Sequence, residues 1–455
     1  MNQLLRYDVA VIGGGPAGTV AAIAAAREGA SVLLVEQFGY LGGMLTVAGT
    51  GPLMTFHAGE KQVIRGIPDE IVNRLTEAGF SPGHMKDFAG YASSVTPFDA
   101  EGMKCVLEQM AKEAGVTLLY HTVYTGCDME AGRIRRIHLY SKNGFFSVEA
   151  KVYLDCSADA DLANHAGVPS VYGRESDHIA QPMTMNIKLR DVNRDAMIQY
   201  IQNNRDDMLP TIPFDELLML PRTGIQGAYS QIELAKKRGD FPIERDTVLC
   251  FETNTPGEMI VNMSRIMKRC ALDPFELTEA EIEGRKQALR IVSFLQKYIP
   301  GFEHCKVVNI GPHIGVRESR KIDGKYKLTA EDLLQNKMFP DAIAMGGYPI
   351  DIHSPEGKAT KSRFLVEGSW YSIPYRCLVS EEVPNLIVAG RCISATHEAM
   401  AAVRVTPIVM AMGQAAGTAA AISIDLNQEA NSLQTETLRK VLKKRGVFLE
   451  EYYNV

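Results

Sequence analysis

The chain has eight cysteines and no C-x-x-C. Cys105, Cys127, Cys156, Cys250, Cys270, Cys305, Cys377 and Cys392 stand singly along the sequence. Iron–sulfur ligation, a local zinc site and a dithiol redox pair need closer spacing, so these chemistries are excluded. The cysteines read as small buried hydrophobes. Basic residues are not in excess either, because 48 Lys and Arg against 54 Asp and Glu leave a net charge of −6. That balance gives no electrostatic footprint for nucleic acid or anionic lipid. The amino-terminal MNQLLRYDVAVIG lacks an apolar signal region with a small-residue cleavage site. Long apolar runs are missing apart from VTPIVMAMGQAAGTAAAISI, residues 405–424, which holds no charged side chain. Its length suits a bilayer. However, Thr406, Pro407, Gly413, Gln414, Gly417, Thr418 and Ser423 interrupt it, and no positive cluster flanks it. The residues that favour insertion, Leu, Ile, Phe and Val, are few there. The expectation is a soluble, cytoplasmic protein with no membrane span.

What is present is ordinary globular composition, 46% hydrophobic and 22% charged over 455 residues. That length allows two or three domains, or one discontinuous pair. Near the start, YDVAVI (7–12) is a short apolar run of the kind that forms a strand buried on both faces. Gly13-Gly14-Gly15-Pro16-Ala17-Gly18 follows and satisfies G-x-G-x-x-G. Then TVAAIAAAREG reads as a helix ending at Gly29, and SVLLVE (31–36) as a second strand, the context that gives the motif meaning. Gly13 permits the tight turn, Gly15 lets backbone approach a pyrophosphate, and Gly18 allows close helix–strand packing. The helix start at Pro16 and Ala17 supplies free N–H groups. Glu36 closes the second strand, where a carboxylate accepts both ribose hydroxyls and disfavours a 2′-phosphate. After Gln37 comes a second glycine pair, Gly42-Gly43, then Met44. A second close approach of backbone suits FAD, which plain NAD sites do not need.

Here the sequence resembles the FAD-dependent oxidoreductases related to fumarate reductase and the heterodisulfide reductase flavin subunit. VIGGGPAGTVAAIAAAREGASVLLVEQFGYLGGM carries the likeness, which extends from residue 7 to about 424. The resemblance implies an α/β fold. A Rossmann-like FAD-binding domain of the glutathione-reductase-like flavoprotein superfamily would carry an inserted α+β substrate domain. The expected divisions are 1–170 and 373–425 for the FAD domain, 171–372 for the insert, and 426–455 for a C-terminal helix and tail.

Three further stretches fit that plan. GVTLLYHTVYTGCDME (115–130) reads as a strand turning outward, followed by RIRRIHLY and FFSVEAKVYLD joined near Asn143-Gly144, a hairpin signal. The resemblance then places the backbone of Val123 against the adenine. CSADADLANHAG (156–167) occupies the family's ATGD-like turn, with Ser157 in the threonine position and Ala158 in place of glycine. Asp159 and Asp161 can be read as a metal pair, but acids at a helix start are the better reading, and no metal is expected. Finally, NLIVAG (385–390) reads as a buried strand ending at Gly390-Arg391. Thr406 reads as the N-cap of the next helix, with Pro407 at its first position. Met412-Gly413-Gln414-Ala415-Ala416-Gly417 resembles the helix of form V-x-G-x-x-A-G that points at the flavin pyrimidine. The resemblance puts Arg404, Val405 and Thr406 beside flavin N1 and the C2 oxygen, where a helix dipole stabilises the negative charge of reduced flavin.

The insert offers candidates for substrate chemistry. ELTEAEIEGRKQALRIVSFLQKY (276–298) reads as a helix with Thr278 and Glu281 as a capping box. Arg317 and Arg320 are spaced to fork one carboxylate in a helix or tight turn, unless Glu318 or a distant acid occupies them. His353 is the candidate proton acceptor when a hydride leaves an alcohol or amine carbon. Asp351 is expected to face the opposite way on a strand and so not to orient it. His397 is a weaker candidate, and His57 a distant one for covalent flavin attachment, with FAD expected to be held mostly non-covalently. The expected activity is FAD-dependent hydride transfer at N5 with a small polar, carboxylate-bearing substrate. No second dinucleotide fingerprint is present, which leaves an external electron partner open, as it does a homo-oligomer. Two alternatives stand beside this. One is the flavin-bearing subunit of a larger electron-transfer complex. The other is an FAD-holding non-redox enzyme of hydratase or thiazole-synthase type.

Overall fold

The computed structural model describes residues 4–209, 212–354, 357 and 360–450, without the Thr360 side chain. The apolar runs at the amino terminus form the centre of the first sheet. Strand β1 (Leu5–Ile12) leads through Gly13–Gly15 into helix α1 (Pro16–Arg27), and β2 (Val32–Val35) returns parallel to β1 with Val9 beside Val32. All four residues of β2 are buried, as expected for a parallel strand covered on both faces.

The expected strand at 115–130 is broken in two. Strand β3 (Thr117–Leu119) extends the parallel sheet beside β2, and β4 (Val123–Glu130) begins an antiparallel excursion. His121, with φ 52°, makes the corner between them. Strand β5 (Arg133–Ser141) pairs with β4, then turns through Lys142-Asn143 into β6 (Gly144–Asp155), with Ser141 opposite Gly144. The amino-terminal part of β6 completes this meander, while Val148–Asp155 runs parallel to β1. Strand β7 (Leu386–Val388) pairs with the far end of β6. The order β3-β2-β1-β6-β7 is the parallel Rossmann-like sheet, so the α/β class holds.

A second, antiparallel sheet is built between residues 187 and 310. Its order is Gly224–Gly227, Val248–Glu252, Met259–Val261, Ile187–Arg190, Lys306–Ile310. The helix Pro274–Tyr298 presses Ala288, Ile291, Phe294 and Leu295 into the same core. Asp273, not Thr278, caps this helix, accepting from the Phe275 and Glu276 N–H groups. Thr278 and Glu281 make no capping box: the Thr278 hydroxyl donates to the Pro274 carbonyl, and Glu281 holds the Ile314 N–H. The second core runs from Ile187 to Cys305, with Phe88 and Ala89 reaching in from the first part of the chain. From Leu328 to Val379, the buried hydrophobic residues pack into a first core with helix α1 and the charge-free stretch instead. The buried hydrophobics of residues 328–372 therefore share a core with α1.

The charge-free stretch is helix α2 (Thr406–Asp425), buried from Pro407 to Ser423. Among the described residues it is the one helix long and apolar enough to cross a membrane, and 94% of its apolar window is buried inside the protein. It lies directly on α1. A Cβ added at Gly413 would stand 2.3 Å from the Ala17 carbonyl oxygen, and one at Gly417 only 2.0 Å from that of Ala21. The small residues let the two helix backbones touch. Val405, not Thr406, occupies the N-cap position, and no side chain caps the helix there. The C-terminal helix Thr435–Lys444 buries Leu438 and Leu442 in the first core, and residues 451–455 of the expected tail lie outside the described residues.

Candidate active site

The turn after β1 is built by backbone contact. A Cβ on Gly18 would fall 1.8 Å from the Gly13 carbonyl oxygen, and one on Gly43 would come 2.9 Å from the Gly15 Cα. Gly42 sits at φ 109° and donates its N–H to the Gly14 carbonyl. The segment after β2 is therefore laid against the glycine turn, backbone on backbone. Glu36 is 6% exposed. One carboxylate oxygen accepts from the Gly14 N–H at 2.7 Å and the other from the Phe38 N–H at 2.9 Å. Burial pushes this carboxyl up, against the pull of those N–H groups. The Thr122 N–H reaches the Glu36 carbonyl, which brings the start of β4, Val123, to the same corner. Gln37 is exposed beside it.

Helix α1 begins with Gly15 as N-cap and Pro16 at its first position, and no side chain caps it. Helix α2 starts uncapped as well. Two helix N-termini thus offer free N–H groups and positive dipole ends close to the glycine turn. These features fit a dinucleotide: a backbone cradle for pyrophosphate, an acid for ribose, and a second dipole for an anionic ring edge.

The turn after β6 is held by Asp155, whose oxygens accept from the Ser157 N–H and hydroxyl and from the Ala163 N–H. Ala158 takes φ 72°, the conformation for which glycine would be unstrained. Asp159 and Asp161 are engaged by cations. Arg391 donates to Asp159 at 2.7 Å and to the Ser319 hydroxyl at 2.8 Å. Arg320 donates to the Asp159 carbonyl at 2.8 Å and to Asp161 at 2.6 Å. Asp161 does start the first turn of helix Asp161–His165. Gly390, at φ 109°, precedes Arg391 beside Ala17.

A cavity of about 560 Å³ opens between the two cores. On the first side it is lined by Met44, Arg391, Arg404, Val405 and Thr406. Arg245, Arg317, Asp351 and His353 line it as well. Arg317 donates to the Pro182 carbonyl at 2.6 Å and to Asn262 at 3.4 Å, and Arg404 to the Asp351 carbonyl at 3.5 Å. Among the described residues the Arg245 guanidinium bonds only the Thr247 carbonyl, through Nε at 3.1 Å. Among the described residues, none of these three guanidiniums forms a salt bridge. Asp87 and Asp246 also line the cavity, but Asp87 is taken up by the N–H groups of Ala89, Tyr91 and Ala92. Burial and the charge of Arg404 both act against the Arg317 cation. Asp351 favours it in part, and arginine keeps its proton regardless, so an arriving anion relieves the remaining cost.

The fork expected from Arg317 and Arg320 does not form. Sequence spacing brought them within reach of each other, but Arg320 opens the strand Arg320–Ile322 and turns to Asp159 and Asp161, away from the cavity. Glu318 does not occupy either arginine. It pairs with Lys321 at 2.6 Å and His397 at 2.8 Å, deeply buried, which places His397 outside the cavity lining. His57 bonds the Ser94 hydroxyl at 2.9 Å and is also not in the lining. The expectation for Asp351 is overturned. Asp351 and His353 lie on the strand Ile350–His353, and residues two apart on a strand share a face. The Asp351 carboxylate stands 3.3 Å from His353 Nε2. Burial and Arg317 push the His353 imidazole down to about 3, against the opposing pull of Asp351. Arg245 gave no signal in the sequence, since nothing local marks it.

A profile of the FAD dependent oxidoreductase family matches residues 8–442. The chain belongs to that family: it is an FAD-dependent oxidoreductase, and FAD is its cofactor. It is similar to the digeranylgeranylglycerophospholipid reductase of Methanoculleus marisnigri, 30% identical over 197 residues, covering 40% of this chain and 47% of that protein. It is also similar to the thiamine thiazole synthase of Aeropyrum pernix, 58% identical over 49 residues, 11% of this chain and 18% of that protein. In both relatives the match spans less than half of their length. A geranylgeranyl bacteriochlorophyll reductase-like structure from Thermoplasma acidophilum aligns over 97% of this chain and 84% of that one, at 15% identity and a TM-score of 0.47.

Proposed function

We propose that this enzyme moves a hydride between FAD and a small polar substrate that carries a carboxylate. The observation that carries the reading is the set of arginines, Arg245, Arg317 and Arg404, facing one cavity without carboxylate partners. Asp351 and Asp246 offset part of their charge without forming a salt bridge to them, and an anionic ligand relieves the cost of the rest. Arg317 and Arg404 bind the carboxylate in this reading. His353, neutral in its buried setting, takes the proton of the alcohol or amine through Nδ1 as the carbon is oxidised, and in the reverse direction returns it to the carbonyl oxygen or imine nitrogen. Bound FAD supplies the hydride acceptor or donor at N5. Helix α2 directs its N-terminus at the same cavity, which supports the likeness to fumarate-reductase-type flavoproteins.

The test is anaerobic bleaching of the purified yellow protein by a panel of 2-hydroxy acids, amino acids and sugar acids, each paired with its uncharged amide or alcohol. Carboxylate-bearing members are expected to reduce the flavin at least 10²-fold more efficiently than their neutral partners, as expected when a buried charge pair is lost. Equal reduction by the neutral partners would sink the carboxylate assignment.

A further inference from the structure

We propose that Asp351 is a positioning residue: it holds His353 in the one ring orientation and tautomer that leave Nδ1 open to the substrate. The inference rests on the reading of His353 as proton acceptor and goes beyond it to the residue that makes it competent.

The geometry begins with the strand Ile350–His353, which places the two side chains on one face. Asp351 Oδ2 stands 3.3 Å from His353 Nε2 and 3.4 Å from the Tyr348 hydroxyl. The main chain of Asp351 is tied as well, because its carbonyl accepts from Arg404 at 3.5 Å. The His353 N–H donates to the Gln181 side-chain oxygen at 3.4 Å. In the tautomer that turns an Nε2–H toward Asp351, the neutral ring has its lone pair on Nδ1, and Nδ1 has no partner among the described residues. A neutral imidazole on its own interconverts between two tautomers, and a carboxylate on one nitrogen selects between them.

The charges around the pair favour the same division of labour. Burial raises the Asp351 carboxyl, and His353, Arg404 and Arg317 outweigh it, leaving it well below the usual carboxylate range. Asp351 therefore stays an anion and does not take the proton itself. Arg317 and Arg404 oppose protonation of His353 across the cavity, while Asp351 favours it. Tyr348 and Tyr91 complete the surroundings, with Arg245 and Arg265 farther off. When a substrate carboxylate covers the arginines, their opposition to charge on His353 falls. Asp351 is then the nearest group to stabilise the imidazolium.

The experiment compares wild type with Asp351→Asn, Asp351→Glu and His353→Gln as FAD-loaded enzymes. Three readouts are taken with a carboxylate substrate that bleaches the flavin: the rate constant of flavin reduction across pH, the substrate affinity, and the ¹⁵N shifts of the His353 ring. Asp351→Asn is expected to keep FAD, and substrate affinity within about threefold. It should slow reduction by roughly 10–100-fold, the usual cost of losing such an outer partner, and move the acidic limb of the profile to lower pH. The His353 ring signals should leave the Nε2–H pattern in Asp351→Asn, and Asp351→Glu should restore part of the rate. Wild-type rate, profile and ring signals in Asp351→Asn, with His353→Gln slow, would overturn the role of Asp351 alone. A wild-type rate in His353→Gln would overturn the proton-acceptor reading beneath it. If Asp351→Asn fails to hold FAD, the decision passes to the wild-type ring shifts: an Nδ1–H tautomer refutes the proposal, and Nε2–H upholds it.

Discussion

Cutting Arg317 back to alanine removes a cation that touches the cavity and has only a carbonyl and an amide for company. FAD should remain bound while carboxylate substrates bind more weakly by about 2–5 kcal/mol, the range for truncating one side of a buried charged contact. Arg320→Ala should do the opposite. Its guanidinium fastens the Asp159–Asp161 turn, and the Asp161 side chain is 41% exposed. The cost is therefore about 1 kcal/mol of stability, with substrate affinity unchanged. Titrating both variants by flavin absorbance and melting them side by side checks the contrast, and a shared loss of affinity would put Arg320 back in the cavity. At this scale the sequence was readable only where chemistry is local. The glycines, Glu36 and the start of α2 could be placed because one strand–turn–helix unit defines them. The partners of Arg320 lie some 160 positions away, and spacing cannot show them. Asp351 was readable and was misread, since the period of two that puts it beside His353 follows from IDIH alone.

Helix α2 shows how an element can satisfy two demands with one composition. Alanine would be favoured over glycine in its interior by about 1 kcal/mol on propensity. The packing decides otherwise: methyl groups at 413 and 417 would overlap the Ala17 and Ala21 carbonyls of α1. Overpacking of this kind costs typically 1–3 kcal/mol, so Gly413→Ala and Gly417→Ala are both expected to be net destabilising. Because Ala17 belongs to the glycine turn, Gly413→Ala should also lower FAD occupancy more than Gly417→Ala does. Thermal melts and the ratio of flavin to protein absorbance read both effects, and a stabilised Gly417→Ala would show that the helices can part without penalty. The sequence announced this helix through its lack of charge, and announced the β5–β6 hairpin through Asn143-Gly144. It did not announce where helix Pro274–Tyr298 begins. Thr278 and Glu281 have capping-box spacing, but Asp273 and Pro274, one turn earlier, supply a cap and a first position with better geometry.

Across the whole molecule, the cavity depends on two separately cored parts being held in register, and a buried polar cluster contributes to that. Glu318 accepts from Lys321 at 2.6 Å and pairs with His397 at 2.8 Å, all three side chains being at most 2% exposed. Its second oxygen takes the Gln181 N–H at 3.1 Å, and Lys321 also reaches the Gly173 carbonyl at 2.6 Å. The cluster thereby joins the segments at Gly173–Gln181 and Glu318–Lys321 to helix His397–Val403 ahead of α2. Burial raises the Glu318 carboxyl, and the bond to His397 with the charge of Lys321 outweighs it, so it sits below its usual 4.5. A carboxyl depressed in the folded state adds stability that is fully present above its unfolded value. That stability is lost as pH falls through the lower folded value. Glu318→Gln leaves Lys321 buried without its carboxylate, which should cost about 3 kcal/mol at neutral pH. The variant should also lack the part of the wild-type loss that sets in below about pH 4.5, so the two melting curves should converge toward acid. A series of melts from neutral to acid pH decides it, and parallel curves with a constant offset would mean that Glu318 acts through packing and not through its charge.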